Sequence, residues 1–480
     1  MTNDRTSQQS SIYLPGYEAQ LHDDGVHHSK CKVEQSADEL SSSCMLDREI
    51  IFTLPCKDEN ETLTYRCNCT FQIVRDEKNG LLCYAMRQNK QACVIGADYF
   101  PIANTRIQNV MRLVLQSFNH REGYIKQDCK ESKKIPFDLL QANISSVSFA
   151  SSWNQNLDCI VTFNYDKPIV DNDFGYEREL LMEQATTLSS KCNITALILR
   201  SRKVKIIAGW NNQSKLPCIR DKICLSIPQR LDSSINVTLD EPNESFSMNE
   251  YHSVVYYEKP QDAFQHPNQN AMIHALKWML TKLRAIAYEY RQQCKIISDM
   301  PSFNILEMYN GCGAHTLPIA KSSLFDAIVT VELDNRLVEA CKVNAELNNF
   351  IVHNDEKCIN ENLPTEEKER KTQIHIFQGD AGEFSKKILK HQNQNKNSLF
   401  NKEYNVLLLD PPRAGLDSKV CHLAKSGTFE HIIYISCGRE ALKGDLVKLN
   451  DTFKVIDCTI IDLFPRTDSV ESLVHLKRIT

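Results

Sequence analysis

The order of apolar runs in this chain predicts an α/β fold: a parallel-sheet domain over residues 261–480, preceded by an α+β region over 51–260. Two observations carry that reading. From residue 261 onward helical and strand patterns alternate: Met272 to Tyr290, Phe303 to Tyr309, Ala327 to Glu332, Arg336 to Asn348, Ile374 to Phe377, Val406 to Leu409 and Ile432 to Ser436. Strands separated by helices make βαβ units, whose strands run parallel. Before residue 261 the runs are short, alternating or β-branched, as at Tyr65 to Val74, Asp158 to Phe163, Thr195 to Leu199 and Val204 to Ala208. One amphipathic helix interrupts them near Thr105 to Phe118, which marks an α+β region.

Residues 1–50 are polar, with clusters such as Ser41-Ser42-Ser43, and read as a loosely ordered arm. Two further polar stretches, Asn354 to Lys371 and His391 to Lys402, read as surface loops of the C-terminal domain. Apolar content of 42% and charged content of 24% are those of a globular protein with room for several cores. No apolar run approaches the roughly 20 residues that span a bilayer, and the first residues lack the apolar stretch of a secretory signal. We therefore expect a non-secreted, cytoplasmic protein without a membrane partner. The 19 cysteines include no Cys-x-x-Cys pair, only Cys67-x-Cys69. Neither a metal site nor an iron–sulfur cluster is expected, and most thiols should be buried and reduced.

The chemistry gathers at the ends of the C-terminal strands. Ile305 to Tyr309 runs into Asn310-Gly311-Cys312-Gly313, a turn whose glycines, Gly311 and Gly313, let the backbone approach a ligand. The next strand ends in Glu332, about 20 residues downstream, where an acid can accept ribose hydroxyls. A third glycine is missing, which suits S-adenosylmethionine better than a pyrophosphate-bearing cofactor. Val406 to Leu409 delivers Asp410, which Pro411-Pro412 hold at a fixed height, with Arg413 following. Arg413 stands where amine methyltransferases carry an aromatic residue, and so argues against amine methylation.

The following strand delivers Cys437 to the same edge. A thiolate adding to carbon 6 of uracil makes carbon 5 nucleophilic, after which a base must remove the carbon-5 proton. A helix from Arg439 to Leu449 is expected to lower the thiol pKa through its N-terminus. The candidate base is Glu471, expected at the start of a last, edge strand.

Asp410-Pro-Pro-Arg-Ala-Gly-Leu, Ser436-Cys437 and Phe464-Pro465 with Val470-Glu471 together resemble the RNA uracil-5-methyltransferase family, and most closely its tRNA (uracil-5-)-methyltransferase branch. The resemblance extends through Tyr17 to Leu21, Tyr65-Arg66, Phe71 to Ile73, Asp98 to Ala103 and Phe264 to Asn268. It implies a Rossmann-like domain dependent on S-adenosylmethionine, an N-terminal region that grips tRNA, and a T-loop uridine, the one called 54, as target. It also implies Cys437 as nucleophile and Glu471 as general base, with Tyr309, Glu332 and Asp410 around the cofactor. Gln265, His266 and Arg413 are the candidate substrate contacts, and a monomer is expected. In three places the chain departs from the family pattern: His266 stands where Gln is usual, Ala314 where Asn or Thr is usual, and Gly438-Arg439 where Asn-Pro is common.

Two basic stretches, Arg200 to Lys205 read as a strand and Lys126 to Lys134, are candidate RNA contacts. Three rival readings share the fold. One is a tRNA-binding folding assistant with a weakened site, marked by Ala314 and Gly438. The others are methylation of uracil in ribosomal RNA and cytosine-5 methylation of RNA. The cytosine reaction normally needs a second cysteine where Asp410-Pro411 stands.

Overall fold

The computed structural model describes residues 24–76, 79–88, 91–95, 100–119, 137–154, 158–167, 175–202, 204–211, 216–227, 251–263, 266–293, 302–353, 372–391, 399–401 and 403–479. Candidate contacts Gln265 and Lys126 to Lys134, and the whole Asn354 to Lys371 stretch, lie outside them.

In the N-terminal half, helix α1 (Gly25–Cys44) leads to strand β1 (Ile51–Leu54) and the short helix α2 (Glu59–Thr62). Strands β2 (Asn68–Arg75), β3 (Leu82–Gln88) and β4 (Gln91–Ile95) precede helix α3 (Thr105–Asn119) and helix α4 (Asp138–Gln141). Then come β5 (Ile144–Ser151), β6 (Cys159–Tyr165), helix α5 (Gly175–Lys191), β7 (Ala196–Arg200) and β8 (Lys205–Ala208). Strands β9 (Cys218–Ile227) and β10 (Tyr251–Pro260) pair antiparallel in a sheet of their own. β2 to β8 form a seven-stranded sheet in the order β4-β3-β2-β5-β6-β7-β8. Its apolar face packs on α3 and α5, with Phe71, Tyr84, Phe149 and Phe163 at the centre.

The C-terminal half runs helix α6 (Gln269–Gln293), β11 (Asn304–Met308), α7 (Thr316–Ser322), β12 (Ala327–Glu332), α8 (Asn335–Leu347), β13 (Val352–His353) and β14 (Gln373–Gln378). It continues with α9 (Ala381–His391), β15 (Val406–Leu409), α10 (Ser418–Ser426), β16 (His431–Ser436), α11 (Arg439–Leu449), β17 (Phe453–Ile461) and β18 (Glu471–Arg478). These strands, joined by β1, form a nine-stranded sheet in the order β1-β17-β18-β16-β15-β11-β12-β14-β13. β11, β12, β13, β14, β15 and β16 are parallel to their neighbours in that set, and β18 lies antiparallel between β16 and β17. The expected parallel-sheet domain is therefore present, with one antiparallel insertion.

Alternate residues of each central strand face opposite layers, as the pleat requires. Ile305, Ile328, Leu408 and Ile433 point into a core with α6 and α7, whereas Leu306, Val329, Leu407 and Ile432 point into one with α1, α10 and α11. Because both faces are covered, these strands read as continuous apolar runs. β11 neighbours both β12 and β15, so connections leave it in opposite directions and a crevice opens at its carboxyl end.

Three expectations are corrected here. The polar N-terminal arm is, from Gly25 onward, a 20-residue helix that buries Val33, Ala37 and Leu40 against the core it shares with α10 and α11. Its apolar stripe is narrow and flanked by polar residues, which is why composition alone suggested disorder. β1 belongs to the C-terminal sheet rather than to the N-terminal region, pairing parallel with β17. Finally, β18 is an interior strand and not an edge, because β17 closes the sheet beyond it.

Candidate functional site

The register of the sheet brings the motif residues to one edge. Met308 pairs with Leu409 and Leu409 with Tyr434, so Tyr309 and Asp410 emerge side by side just beyond the strand ends. Ser436 pairs with Ser472 across the antiparallel β16–β18 ladder. The next residue up β16 is Cys437, and the residue before Ser472 is Glu471, so the thiol and the carboxyl face each other at the top of neighbouring strands.

The turn that follows β11 has a strained backbone. Tyr309 adopts φ 65°, a left-handed conformation rare for a bulky residue and common at ligand sites. Gly313 has φ +86°, and a Cβ there would lie 2.8 Å from Cys341 Sγ, so a side chain is excluded twice over. At Gly311 (φ +57°) a Cβ would meet nothing within 4 Å, which leaves the mouth of the crevice open. The Glu332 carboxylate accepts from the Gly311 amide at 3.0 Å and the Asp334 amide at 2.9 Å. Its orientation is thereby fixed, and each oxygen keeps a lone pair for a ligand hydroxyl.

Below this turn lies a residue absent from the expected site. Glu307, inside the apolar strand β11, is fully enclosed; Thr316 Oγ1 donates to its Oε2 at 2.6 Å, and its Oε1 has no partner among the described residues. Burial pushes its pKa to about 8, with Asp410 and Glu332 adding to the rise against the Thr316 hydrogen bond. Asp410 is raised to about 7 by desolvation and by Glu332. A charged residue interrupting Ile305-Leu306-Glu307-Met308 was the available signal, since an acid costs too much there without a use.

His315 also joins the site unannounced. Its Nδ1 is 3.8 Å from Asp410 Oδ2 and 4.0 Å from Glu307 Oε1. Burial, and secondarily His266, lower its pKa to about 3, so the ring is neutral and these approaches are not ion pairs. His266 is likewise buried and neutral, its pKa lowered to about 4 by desolvation and by Lys259. The two rings meet edge to face at 6.0 Å and line a small cavity with Met272, Ala275, Ile435 and Glu471. Donor atoms of His266, His315 and Asp410 lie within 4.8 Å of one another, so the group could hold a cation or share one hydrogen-bonded ligand. His266 thus reaches the site. Its carbonyl accepts from Trp153 Nε1 at 2.9 Å, which anchors its loop to the N-terminal region.

Glu471 is buried, and its carboxyl is held well above the usual carboxylate range by desolvation first and Asp410 second, with Arg413 opposing. The Cys437 thiol is half-buried and raised by desolvation and then by Glu471, while a hydrogen bond from Arg413 lowers it. The expected net lowering by the helix terminus is therefore not met: two carboxyl groups crowd the sulfur, and Arg413 is the charge that counters them. Arg413 therefore acts on the Cys437 thiol electrostatically. Gly438 also has a local cause. A Cβ there would sit 2.6 Å from the Arg413 carbonyl oxygen, so the cysteine turn packs directly on the Pro-Pro-Arg turn. Asp445 of α11 adds to that tie by accepting from the Leu416 amide at 2.8 Å and Tyr434 Oη at 2.7 Å.

The basic stretch read as one strand is divided between two: Arg200 ends β7 and Lys205 begins β8, Ser201 N donates to Val204 O at 2.9 Å between them, Arg200 pairs with Asp262, and Lys203 lies outside the described residues. No helix among the described residues is long and apolar enough to cross a membrane.

Residues 226–479 match the family described as tRNA (Uracil-5-)-methyltransferase, just over half of the chain. The chain belongs to that enzyme family. Among its relatives, the tRNA/tmRNA (uracil-C(5))-methyltransferase of Campylobacter lari is 25% identical over 439 residues, covering 91% of this chain and 95% of that protein. The protein of the same name from Teredinibacter turnerae is 25% identical over 418 residues, covering 86% and 88%. A solved structure of Pyrococcus abyssi tRNA (uracil-54, C5)-methyltransferase with S-adenosyl-L-homocysteine has the same fold, with a TM-score of 0.53 at 15% identity, covering 94% of this chain and 84% of that one.

The electrostatics around Cys437 generate a test that needs no RNA. In Arg413→Met the thiol loses the cation that lowers it, so the thiolate fraction at pH 8 should fall several-fold. Iodoacetamide labelling of the Cys437 peptide, followed by mass spectrometry, should slow accordingly. An unchanged rate would remove Arg413 as the thiolate's partner.

Proposed function

We propose that this protein methylates carbon 5 of a uridine in tRNA, using S-adenosylmethionine, through a covalent bond between Cys437 and carbon 6 of the base. The observation that carries the reading is the juxtaposition of a thiol and a buried carboxyl across paired strands, beside a nucleotide-type crevice. The family resemblance implies the T-loop uridine as target.

The crevice residues fit the cofactor. Glu332 would hold ribose hydroxyls, open space at Gly311 admits the nucleoside, and the unpartnered Glu307 Oε1 and the Asp410 carboxyl face the same end. Bound there, S-adenosylmethionine supplies an electrophilic methyl group on a positively charged sulfonium. A cluster of acids whose pKa values are raised by burial and mutual repulsion is what a buried cation would relieve.

Arg413 holds the Cys437 thiolate, which adds to carbon 6 as the carbon 5–carbon 6 π pair moves toward the carbon-4 carbonyl. Carbon 5 takes the methyl group and releases the neutral thioether. Glu471 then accepts the carbon-5 proton, the pair left behind restores the double bond, and the carbon 6–sulfur bond breaks to return the thiolate. The raised pKa of Glu471 makes its carboxylate a strong base once ionised. His266 and His315, neutral and lining the same cavity, can hydrogen-bond the uracil edge without adding charge.

The tRNA must present the base unstacked, with phosphate contacts supplying most of the affinity. Cys437→Ala should accordingly abolish transfer of labelled methyl to an unmodified tRNA transcript while tRNA binding stays within a few-fold. Turnover in that variant would exclude the covalent route. Tight binding by the unaltered protein without any label would favour a folding assistant, whereas label on ribosomal RNA alone, or on cytosine, would move the substrate.

Glu471→Gln should do something different. The amide keeps the carboxyl's shape but cannot take the proton, so methylated adduct should accumulate as a slow band on denaturing gels. Normal turnover without that band would place the base elsewhere.

The titration of Asp410 sets a pH dependence for cofactor binding. Below its pKa of about 7 the group is neutral and gives a cation nothing, so only the ionised fraction is binding-competent. Affinity for S-adenosylmethionine, measured by calorimetry, should rise on the order of tenfold from pH 6 to pH 8. In Asp410→Asn the rise should vanish, and its persistence there would assign the dependence to another group.

A further inference from the structure

Cys437 and Glu471 stand on different elements, and each is approached by a loop or helix start that the sheet alone does not hold. Glu471 follows the loop 462–470, and Cys437 precedes α11. Helix α1 touches both supports. The buried Lys32 ammonium donates to Asp462 Oδ1 at 2.6 Å, Thr467 O at 2.7 Å and Phe464 O at 3.1 Å, so its three protons meet three acceptors of the loop. One and two turns along the helix, Ser36 Oγ and Glu39 Oε2 accept from Arg439 Nη1 at 3.0 and 3.3 Å, at the first residue of α11.

The same loop is tied from the segment that follows α1. Arg466, left-handed at φ 63°, donates from Nη2 to Glu59 Oε2 at 2.6 Å and from Nε to Thr62 Oγ1 at 3.2 Å. Tyr65 Oη donates to Pro465 O at 3.0 Å. Glu59 in turn accepts from the Gly25 amide at 2.6 Å, which connects this tie to the start of α1. Nothing in loop 462–470 is regular structure, so these bonds, rather than a ladder, set its path into β18.

We propose that α1 is a brace for the catalytic pair and that Lys32 is the positioning residue of Glu471. The proposal rests on the roles assigned to Cys437 and Glu471 above. An ammonium inside the loop fixes it from its concave side. Without that charge, Asp462 is a buried carboxylate with no counter-charge and Thr467 O loses its donor, whereas Phe464 O keeps those of Thr467, so the loop must move to hydrate the first two. Cys437 remains on its strand end, so thiol addition proceeds while the proton-removing group is displaced. The defect should therefore fall on release of the adduct more than on its formation or on tRNA binding.

The test uses the full chain with unmodified tRNA transcript and S-adenosylmethionine. Lys32→Met should lower turnover at least tenfold, leave the KM for tRNA within about twofold, and raise the trapped adduct several-fold on denaturing gels. Lys32→Arg, which keeps the charge, should recover part of the turnover. Val33→Ala supplies the structural control, since Val33 is fully buried in the same helix and its side chain packs in the apolar cluster without a polar group to bind the loop. It should lower the thermal midpoint while leaving the ratio of adduct to product as in the unaltered protein. Equal ratios in Lys32→Met and Val33→Ala overturn the brace. If Lys32→Met does not fold, Asp462→Asn keeps the volume and removes the counter-charge, and an unchanged ratio in that variant likewise overturns it. Adduct in Glu471→Gln together with an unaltered ratio in Lys32→Met rejects the brace alone, whereas normal turnover in Glu471→Gln rejects both.

Discussion

The pairing of β16 with β18 is the constraint on which the site depends. A parallel sheet delivers all its carboxyl ends to one edge, but each strand contributes only the residue that follows its last ladder position. An antiparallel strand inserted beside β16 reverses that rule and brings a strand beginning to the same edge. Glu471 is that beginning, and the Ser436–Ser472 register sets it against Cys437. A slip of one residue would turn Glu471 to the other face of the sheet. β17 and β1 close the sheet beyond β18, so the register is held from both sides and the acid is shielded from water.

That shielding has a cost, concentrated in four acids. Glu307, Asp410 and Glu471 are all driven toward their neutral forms, and Glu332 contributes to the first two shifts. A carboxyl that binds its proton more tightly in the fold than in the unfolded chain stabilises the fold below its unfolded pKa of about 4. For Asp410 and Glu307 that contribution is lost as the pH rises through about 7 and about 8. The site is thus least comfortable at the pH where its carboxylates are useful, and a bound cation is the natural compensation. Arg413 performs that compensation on the thiol side.

The N-terminal half does more than offer a surface. The indole of Trp153 and the amide of Cys67 anchor the His266-Pro267 backbone, and Lys259 lies 3.5 Å over the Trp153 ring while pairing with Asp221. From the other side α1 and Arg466 hold the loop before Glu471. Both walls of the cavity between His266 and Glu471 are therefore set by residues remote in sequence. A rearrangement of the N-terminal region would be felt in that cavity through packed contacts, without any change in the residues that line it.

Much of this was legible in the sequence because local pattern and local chemistry coincide. Continuous apolar runs alternating with helical periods determined the parallel sheet, and α11 begins and ends where its pattern says, at Arg439 and Leu449. Strand-end position alone assembled Tyr309, Glu332, Asp410 and Cys437 on one edge. What depended on strand order was out of reach. Glu471 could be read as the start of a strand but not as an interior neighbour of β16, because hydrogen-bond partners are non-local. The direction of the Cys437 shift was misjudged for the same reason, since the groups crowding the sulfur come from β15 and β18. α1 was hidden by its polar composition, because only three or four of its residues meet the core. The sequence by itself determined which elements form and which chemical groups stand at their ends. Tertiary structure alone decided which of those groups meet, how far burial displaces their protons, and that a helix near the N-terminus grips the loop before Glu471. Those properties arise from contacts between residues tens to hundreds of positions apart, and no local pattern encodes them.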